Sequence, residues 1–234
     1  MAEPVFEQLP LGISLRDDAT FANFFAGDNA EVVAQLQRMA AGQGDTSLYV
    51  WGKAGAGCSH LLQAACHSVQ ENGGNSVYLP MDELVDYSPA VFESLEALPL
   101  VCLDNCQALA GKAEWEEALF HLFNRMRAAE QRLVIAADAP PAQVGFVLPD
   151  LLSRLKWGFV YQLEAMDDDF KIQALKLRAA NRGMELNDEV ARYLLNRAPR
   201  DMHALFAVLE QLDKASLQAQ RRLTIPFVKQ EMHW

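Results

Sequence analysis

Basic residues are scarce in this chain of 234 residues: 20 Lys and Arg stand against 31 Asp and Glu, a net charge of −11. A protein that grips DNA with its own surface usually presents a basic face, so this balance disfavours autonomous DNA binding. Lys171, Lys176, Arg178 and Arg182 do lie at roughly helical spacing, but they read better as a solvated helix face than as a nucleic-acid patch. No apolar run approaches the roughly 18 residues of a membrane span. The start, Met1-Ala2-Glu3-Pro4, is acidic rather than signal-like. A cytoplasmic protein with no membrane role is therefore expected. Cysteine is also sparse. Cys58, Cys66, Cys102 and Cys106 lack zinc-finger spacing, so reduced thiols are expected rather than disulfides or a metal knot. There are no repeats or low-complexity tracts. With 51% hydrophobic and 22% charged residues, the chain has ample material for a globular core.

Hydrophobic patterning divides the chain. Residues 1–20 show no periodicity and contain Pro4, Pro10 and Gly12, which reads as a flexible or extended leader. Asp28 with Glu31 three residues on forms a capping-box pattern ahead of Val32, Val33 and Leu36. Strands are expected at 46–51, 75–79, 100–104, 132–137 and 159–163. Helices are expected between them at 58–71, about 88–97, 113–130 and 150–156. Short apolar strands alternating with helices predict an α/β fold, a parallel sheet covered on both faces, over residues 21–165. From residue 166 to 234 only helices are expected, at 170–182, 188–197 and 200–219, with a last short one carrying Pro226 in its first turn. That makes a small all-α domain.

The run Val50-Trp51-Gly52-Lys53-Ala54-Gly55-Ala56-Gly57-Cys58-Ser59-His60 has the frame of a phosphate-binding P-loop. An apolar strand leads in and a helical pattern leads out. Glycines let the turn expose successive backbone N–H groups, which with the helix N-terminus hold phosphate. Ser59 stands where the hydroxyl that ligates Mg²⁺ belongs. The frame's lysine is missing: Cys58 occupies its place, and Lys53 is near the glycines but elsewhere in the frame. Losing one charge-assisted hydrogen bond, about 1.5–3 kcal/mol, falls hardest on a triphosphate. The pattern thus suggests a diphosphate-preferring nucleotide holder that hydrolyses poorly; an ordinary Gly-rich turn is the alternative.

Further residues form a constellation with this loop. The strand Leu100-Val101-Cys102-Leu103 ends in Asp104, which could complete a Mg²⁺ shell or simply cap a turn. Asn105 follows where a water-activating carboxylate commonly sits, and an amide cannot serve as a base. Asp138 ends the next strand at the carboxyl edge, where ligands of open α/β sheets collect, although Asp138-Ala139-Pro140-Pro141 also suits a turn. Arg154 could complement a helix dipole or act as an arginine finger towards nucleotide on a neighbouring subunit. Arg200 could reach the phosphates from the helical domain or lie on the surface.

These residues resemble the AAA+ family, in the branch of the bacterial replication initiator DnaA, over essentially the whole chain. The resemblance rests on Phe24-Phe25-Ala26-Gly27-Asp28-Asn29, Gly55-Ala56-Gly57-Cys58-Ser59-His60, Leu103-Asp104-Asn105 and Ala137-Asp138-Ala139-Pro140-Pro141. It rests most specifically on Leu151-Leu152-Ser153-Arg154-Leu155-Lys156-Trp157-Gly158 and Leu223-Thr224-Ile225-Pro226-Phe227-Val228-Lys229. It implies that Gly55, Gly57 and Ser59 belong to Walker A, with Gly52, Ala54, Ala56, Cys58 and His60 in the same loop. It implies Asp104 as Walker B, Asp138 as sensor 1, Arg154 as the arginine finger and Arg200 as the sensor-2 arginine. Phe25, Gly27 and Asn29 fall in the segment near the base. Gln8, Leu9, Leu11 and Ile13 resemble a peptide that binds the DNA polymerase III sliding clamp. Cys58 departs from the family pattern.

The resemblance further implies a non-enzymatic regulator rather than an ATPase. Such a chain would hold ADP or another nucleoside diphosphate, with Mg²⁺ at Ser59 and Asp104, and would stimulate ATP hydrolysis by DnaA. It would reach DNA only indirectly through the clamp, since DnaA's helix-turn-helix domain has no counterpart in this sequence. A homodimer, a weak ATPase and a DNA-bound adaptor or loader remain as alternatives.

Overall fold

In the computed structural model, residues 14–234 are described. The expected clamp-binding residues Gln8, Leu9, Leu11 and Ile13 lie outside them. In chain order the elements are α1 (Ala30–Ala40), β1 (Ser47–Gly52), α2 (Cys58–Glu71), β2 (Ser76–Pro80) and α3 (Met81–Leu84). They continue with β3 (Leu100–Asp104), α4 (Ala113–Ala128), β4 (Arg132–Ala137), α5 (Pro149–Leu155) and β5 (Phe159–Leu163). Four helices follow: α6 (Asp168–Asn181), α7 (Asp188–Arg197), α8 (Met202–Ala219) and α9 (Ile225–Met232).

The five strands form one sheet of order β2-β3-β4-β1-β5, and every pairing is parallel. Side chains alternate across it, as the strand period of two requires. Tyr49, Val101, Leu103, Leu133 and Ile135 pack with Leu119 and Leu122 of α4 and Leu151 of α5. Leu48, Val50, Leu100, Cys102, Val134 and Ala136 pack on the other face with Leu36 of α1 and Leu61, Leu62 and Ala65 of α2. All five residues of β3 are buried, which is why its sequence is a nearly unbroken apolar run rather than an alternating one. Each aliphatic side chain so buried contributes about 1.5–3 kcal/mol. A separate core joins α6 to α9 through Leu175, Leu194, Leu205, Leu209 and Phe227.

Three local expectations are corrected. The helix about 88–97 is two 3₁₀ turns, Pro89–Phe92 and Leu95–Ala97, because Ser94 between them is left-handed at φ 62° and interrupts any helix. Asp28 does not open α1 with a capping box. It lies inside a 3₁₀ turn, Gly27–Asn29, and no side chain caps α1; Glu31 instead accepts a hydrogen bond from the Tyr161 hydroxyl at 3.0 Å. The basic row on α6 is not one solvated face. Lys176 pairs with Asp188, but Arg178 is 5% exposed, donates to the Asp18 carboxylate and carbonyl, and faces the Phe206 ring.

That ion pair has a wider effect. Residues 14–24 run as a strap between the two cores. On the sheet side the Arg16 N–H donates to Gln63 at 2.9 Å, and the Asn23 amide braces the Asp18 carbonyl. On the helical side Arg178 holds Asp18 and Asn181 reaches Ala22 and Asn23. Burial pushes the Asp18 carboxyl up, but its hydrogen bonds and charge contacts with Arg178 and Arg16 outweigh this and hold it at about 2.

Candidate functional site

Between the end of β1 at Gly52 and the start of α2 at Cys58 the chain reverses within five residues. Gly55 and Gly57 make this reversal at φ 82° and 106°, a region side chains with a Cβ avoid. A Cβ on Gly57 would also stand 2.7 Å from the Phe24 ring. Gly57 is the N-cap of α2 and offers no side-chain acceptor. The first N–H groups of α2 therefore remain available for an anion.

This loop borders a cavity of about 520 Å³, within the roughly 300–1,000 Å³ range of small-ligand sites. Gly52, Ala54, Gly55, Ala56, Gly57, Cys58, Ser59 and His60 all line it, as do Phe25, Asp104 and Asp138. Cys58 sits at the first helical position, and burial, with the nearby Asp104 charge, pushes its thiol up to about 12. The position meant for a cation is thus occupied by a neutral group. Lys53 also lines the cavity but lies on the opposite arm of the turn.

Asp104 is 1% exposed at the end of β3. Its Oδ2 accepts from the Tyr78 hydroxyl at 2.7 Å and its Oδ1 from the Asn105 N–H at 2.9 Å, and the Ser59 hydroxyl lies close enough to favour its charged form. Burial raises its pKa while these hydrogen bonds oppose the rise. Ser59 and Asp104 are therefore adjacent, as a shared Mg²⁺ shell requires. Among the described residues no group of three or more His, Cys, Asp or Glu is assembled to hold a metal. Mg²⁺ would consequently depend on phosphate oxygens and water for most of its ligands, its usual mode with nucleotides. Asn105 is left-handed at φ 53° and its amide donates to Asp82 at 3.0 Å. Asp138 is held at the rim by its neighbour, because the Tyr49 hydroxyl donates to the Ala139 carbonyl at 2.9 Å.

Other expected site residues serve the scaffold. The His60 Nε2–H donates to the Thr20 carbonyl at 2.8 Å; burial lowers its pKa, so the ring is a neutral tie to the strap. Phe25 reaches the cavity and packs on Phe170 of α6 at 5.6 Å between centroids. Gly27 and Asn29 do not line it. Gly27, at φ 49°, leaves room for the Phe170 ring, which a Cβ would approach to 3.2 Å. Buried Asn29 exchanges two hydrogen bonds with the Glu164 backbone, closing the junction after β5. Arg200 is not itself among the residues that line the cavity, although Asp201 beside it is; its guanidinium pairs with Asp168 at 3.2 Å and is mostly exposed. The helical side of the cavity is supplied by Asp201, Met202, Phe206 and Ala174. Asp201 caps α8 by accepting from the Ala204 N–H at 2.8 Å, and its Oδ1 lies 3.9 Å from where a Gly55 Cβ would be. Sequence reasoning missed Asp201 and Arg16 at the cavity. The N-cap pattern before α8 could have found the first, whereas Arg16 arrives only through the tertiary path of the strap.

Arg154 is remote from this cavity. It borders a small crevice with Ser47, Leu48 and Gly158, at the amino edge of the sheet, while the P-loop leaves the carboxyl edge of the same strand. β1 alone separates the two edges by five residue steps, roughly 16 Å at about 3.3 Å per residue.

The bacterial DnaA ATPase-domain family model matches residues 15–162, and the model of the Hda lid domain matches residues 168–232. Domain III of DnaA from Thermotoga maritima is similar at 21% identity and TM-score 0.76, over 94% of this chain and 98% of that one. A DnaA bound to AMPPCP and single-stranded DNA is similar at 22% and 0.73, over 89% and 70%. The Thermotoga maritima Holliday junction branch migration motor RuvB shares the fold more distantly, at 16% and 0.63 over 92% and 73%. In this chain the shared fold takes the form of a P-loop on a five-stranded parallel sheet followed by a four-helix lid. The chain belongs to the bacterial DnaA ATPase-domain family, as an Hda-like, DnaA-homologous AAA+ protein.

Proposed function

We propose that this chain is a negative regulator of replication initiation that holds a nucleoside diphosphate such as ADP and acts on the ATP of another molecule. Docked through residues 8–13 on the DNA-loaded sliding clamp, it presents Arg154 to ATP held by DnaA. The Arg154 guanidinium stabilises charge on the transferring γ-phosphoryl group, a contribution of about 10³–10⁵ in rate for arginine fingers. The product, DnaA holding ADP, is the inactive initiator.

One observation carries the reading: Arg154 and the P-loop occupy opposite edges of the sheet. Arg154 therefore has no route to nucleotide in its own cavity. A head-to-tail contact, amino edge on the neighbour's carboxyl edge, brings the two together between chains. The same geometry would stack two copies of this chain, which is the homodimer alternative. Cys58 and Asn105 argue that the chain's own ATP turnover is weak or absent, because a neutral thiol stands in place of the phosphate-binding lysine and an amide in place of the base. Nucleotide binding by the AMPPCP-bound DnaA supports a nucleotide in the cavity here.

The test is ATP hydrolysis by DnaA with DNA-loaded clamp, with and without this protein preloaded with ADP. Clamp-dependent acceleration is expected, with little hydrolysis by the chain alone. The single-stranded DNA bound by the same relative favours a second reading, a DNA-bound adaptor. Absence of acceleration, together with salt-sensitive DNA binding without the clamp, would establish that reading instead.

A further inference from the structure

Trp157 is 58% exposed immediately beyond α5, although its ring is the largest apolar surface a residue can offer. It is surrounded by cations. The Arg127 guanidinium carbon, from the last turn of α4, stands 3.7 Å from the ring centroid, and that of Arg154, from the last turn of α5, stands 4.9 Å away. Both distances fall within the reach of a cation–π contact, about 6 Å.

The backbone fixes where this ring sits. The Trp157 N–H donates to the Arg154 carbonyl at 3.1 Å, setting the spacing between the two residues. Gly158 follows with no clearance: a Cβ there would meet Ser47 Oγ at 2.6 Å and the Ser47 carbonyl at 2.8 Å. The turn is thus pressed on the start of β1, and Leu155 beside it is buried at 2% exposure. A ring so anchored, yet so exposed, covers little core. What it does contact is two guanidinium groups, that of Arg127 more closely and that of Arg154, which the proposed reaction uses, at 4.9 Å.

An arginine at a helix end has several rotatable bonds, and ordering it at the moment of reaction costs rate. A flat aromatic face that holds the planar guanidinium removes part of that cost beforehand. We propose that Trp157 is a positioning residue: its ring holds Arg154 at the amino edge of the sheet, ready for the γ-phosphate of a nucleoside triphosphate bound by a second AAA+ chain. Arg127 shares the ring and adds positive charge on the same edge. This inference rests on the proposed function, and its test separates the two.

Full-length chain, wild type and the variants Trp157→Leu and Trp157→Phe, is titrated against ATP-loaded DnaA on DNA-loaded clamp. Each variant is first checked for unchanged melting temperature and ADP affinity. Leu keeps apolar volume without a π face, and Phe keeps the face. For Trp157→Leu the maximal hydrolysis rate is expected to fall about 2- to 5-fold, the weight of an exposed cation–π pair, with the half-saturating concentration unchanged. Trp157→Phe is expected to recover most of the rate. A wild-type rate with Trp157→Leu would overturn the positioning role while leaving the proposed function intact. So would a change confined to half-saturation, which would make the ring a docking surface. No stimulation by the wild type would overturn both.

Discussion

A thiol at the first position of α2 limits what the loop can grip. Cys58 is neutral because burial holds its pKa near 12, so the first turn of α2 offers the phosphates backbone N–H groups and no cation of its own. Cys58→Lys restores the cation and should favour AMPPCP over ADP by about tenfold or more, since a charge-assisted hydrogen bond is worth about 1.5–3 kcal/mol and about 1.4 kcal/mol is tenfold. Titration calorimetry with both nucleotides checks this; an unchanged affinity ratio would contradict the account of the loop. Asp18 supports a second residue-scale prediction. Its folded pKa of about 2 lies below the ordinary 3.8, so its charged form stabilises the fold. That contribution is complete above the ordinary value and is lost as pH falls from about 3.8 through about 2. The stability difference between the wild type and Asp18→Asn should therefore shrink across that window, as read by denaturant unfolding at successive pH values. A pH-independent difference would mean that the Asp18–Arg178 pair is not what secures the strap.

Elements were legible where their signal is local. The strands are apolar runs closed by Gly, Pro or polar residues, and the boundaries expected for β3, β4 and β5 coincide with those observed. The stretch 88–97 was misread because its apolar spacing suits a helix, whereas Ser94 takes a left-handed turn that no spacing announces. At the cavity, the P-loop was legible because its ligands are consecutive. Arg16, Asp201 and Phe206 were not, because they come from the strap and the lid and meet the loop only in three dimensions. Glu116 is a further case. In Ala113-Glu114-Trp115-Glu116-Glu117 it reads as one more surface acid, yet it is fully buried. Its two oxygens accept the N–H groups of Gly111, Val147 and Leu148. It therefore ties α4 to the segment that launches α5 and Arg154. Glu116→Ala removes three hydrogen bonds at once, each worth about 0.5–1.5 kcal/mol, and should lower the unfolding free energy by about 2–4 kcal/mol. Unfolding in urea checks this; a loss below about 1 kcal/mol would show that water or a rearranged loop replaces the carboxylate.

At the scale of the whole molecule, the sheet places the P-loop cavity at one edge and an arginine at the other, and the strap joins sheet and lid across the cavity's side. The net charge of −11 leaves little attraction for DNA phosphates, and for that reason the proposed function routes the chain to DNA through the clamp. In the proposed function Arg154 acts on a neighbour's nucleotide and not on its own. The most direct measurement compares wild type with Arg154→Ala, both ADP-loaded, in clamp-dependent ATP hydrolysis by DnaA at saturating concentration. Arg154→Ala should lose at least about 10³-fold in stimulated rate, down to the unstimulated level, with ADP affinity and clamp docking unchanged. Full stimulation by Arg154→Ala would contradict the account, and loss of its ADP affinity would show that the arginine serves its own site.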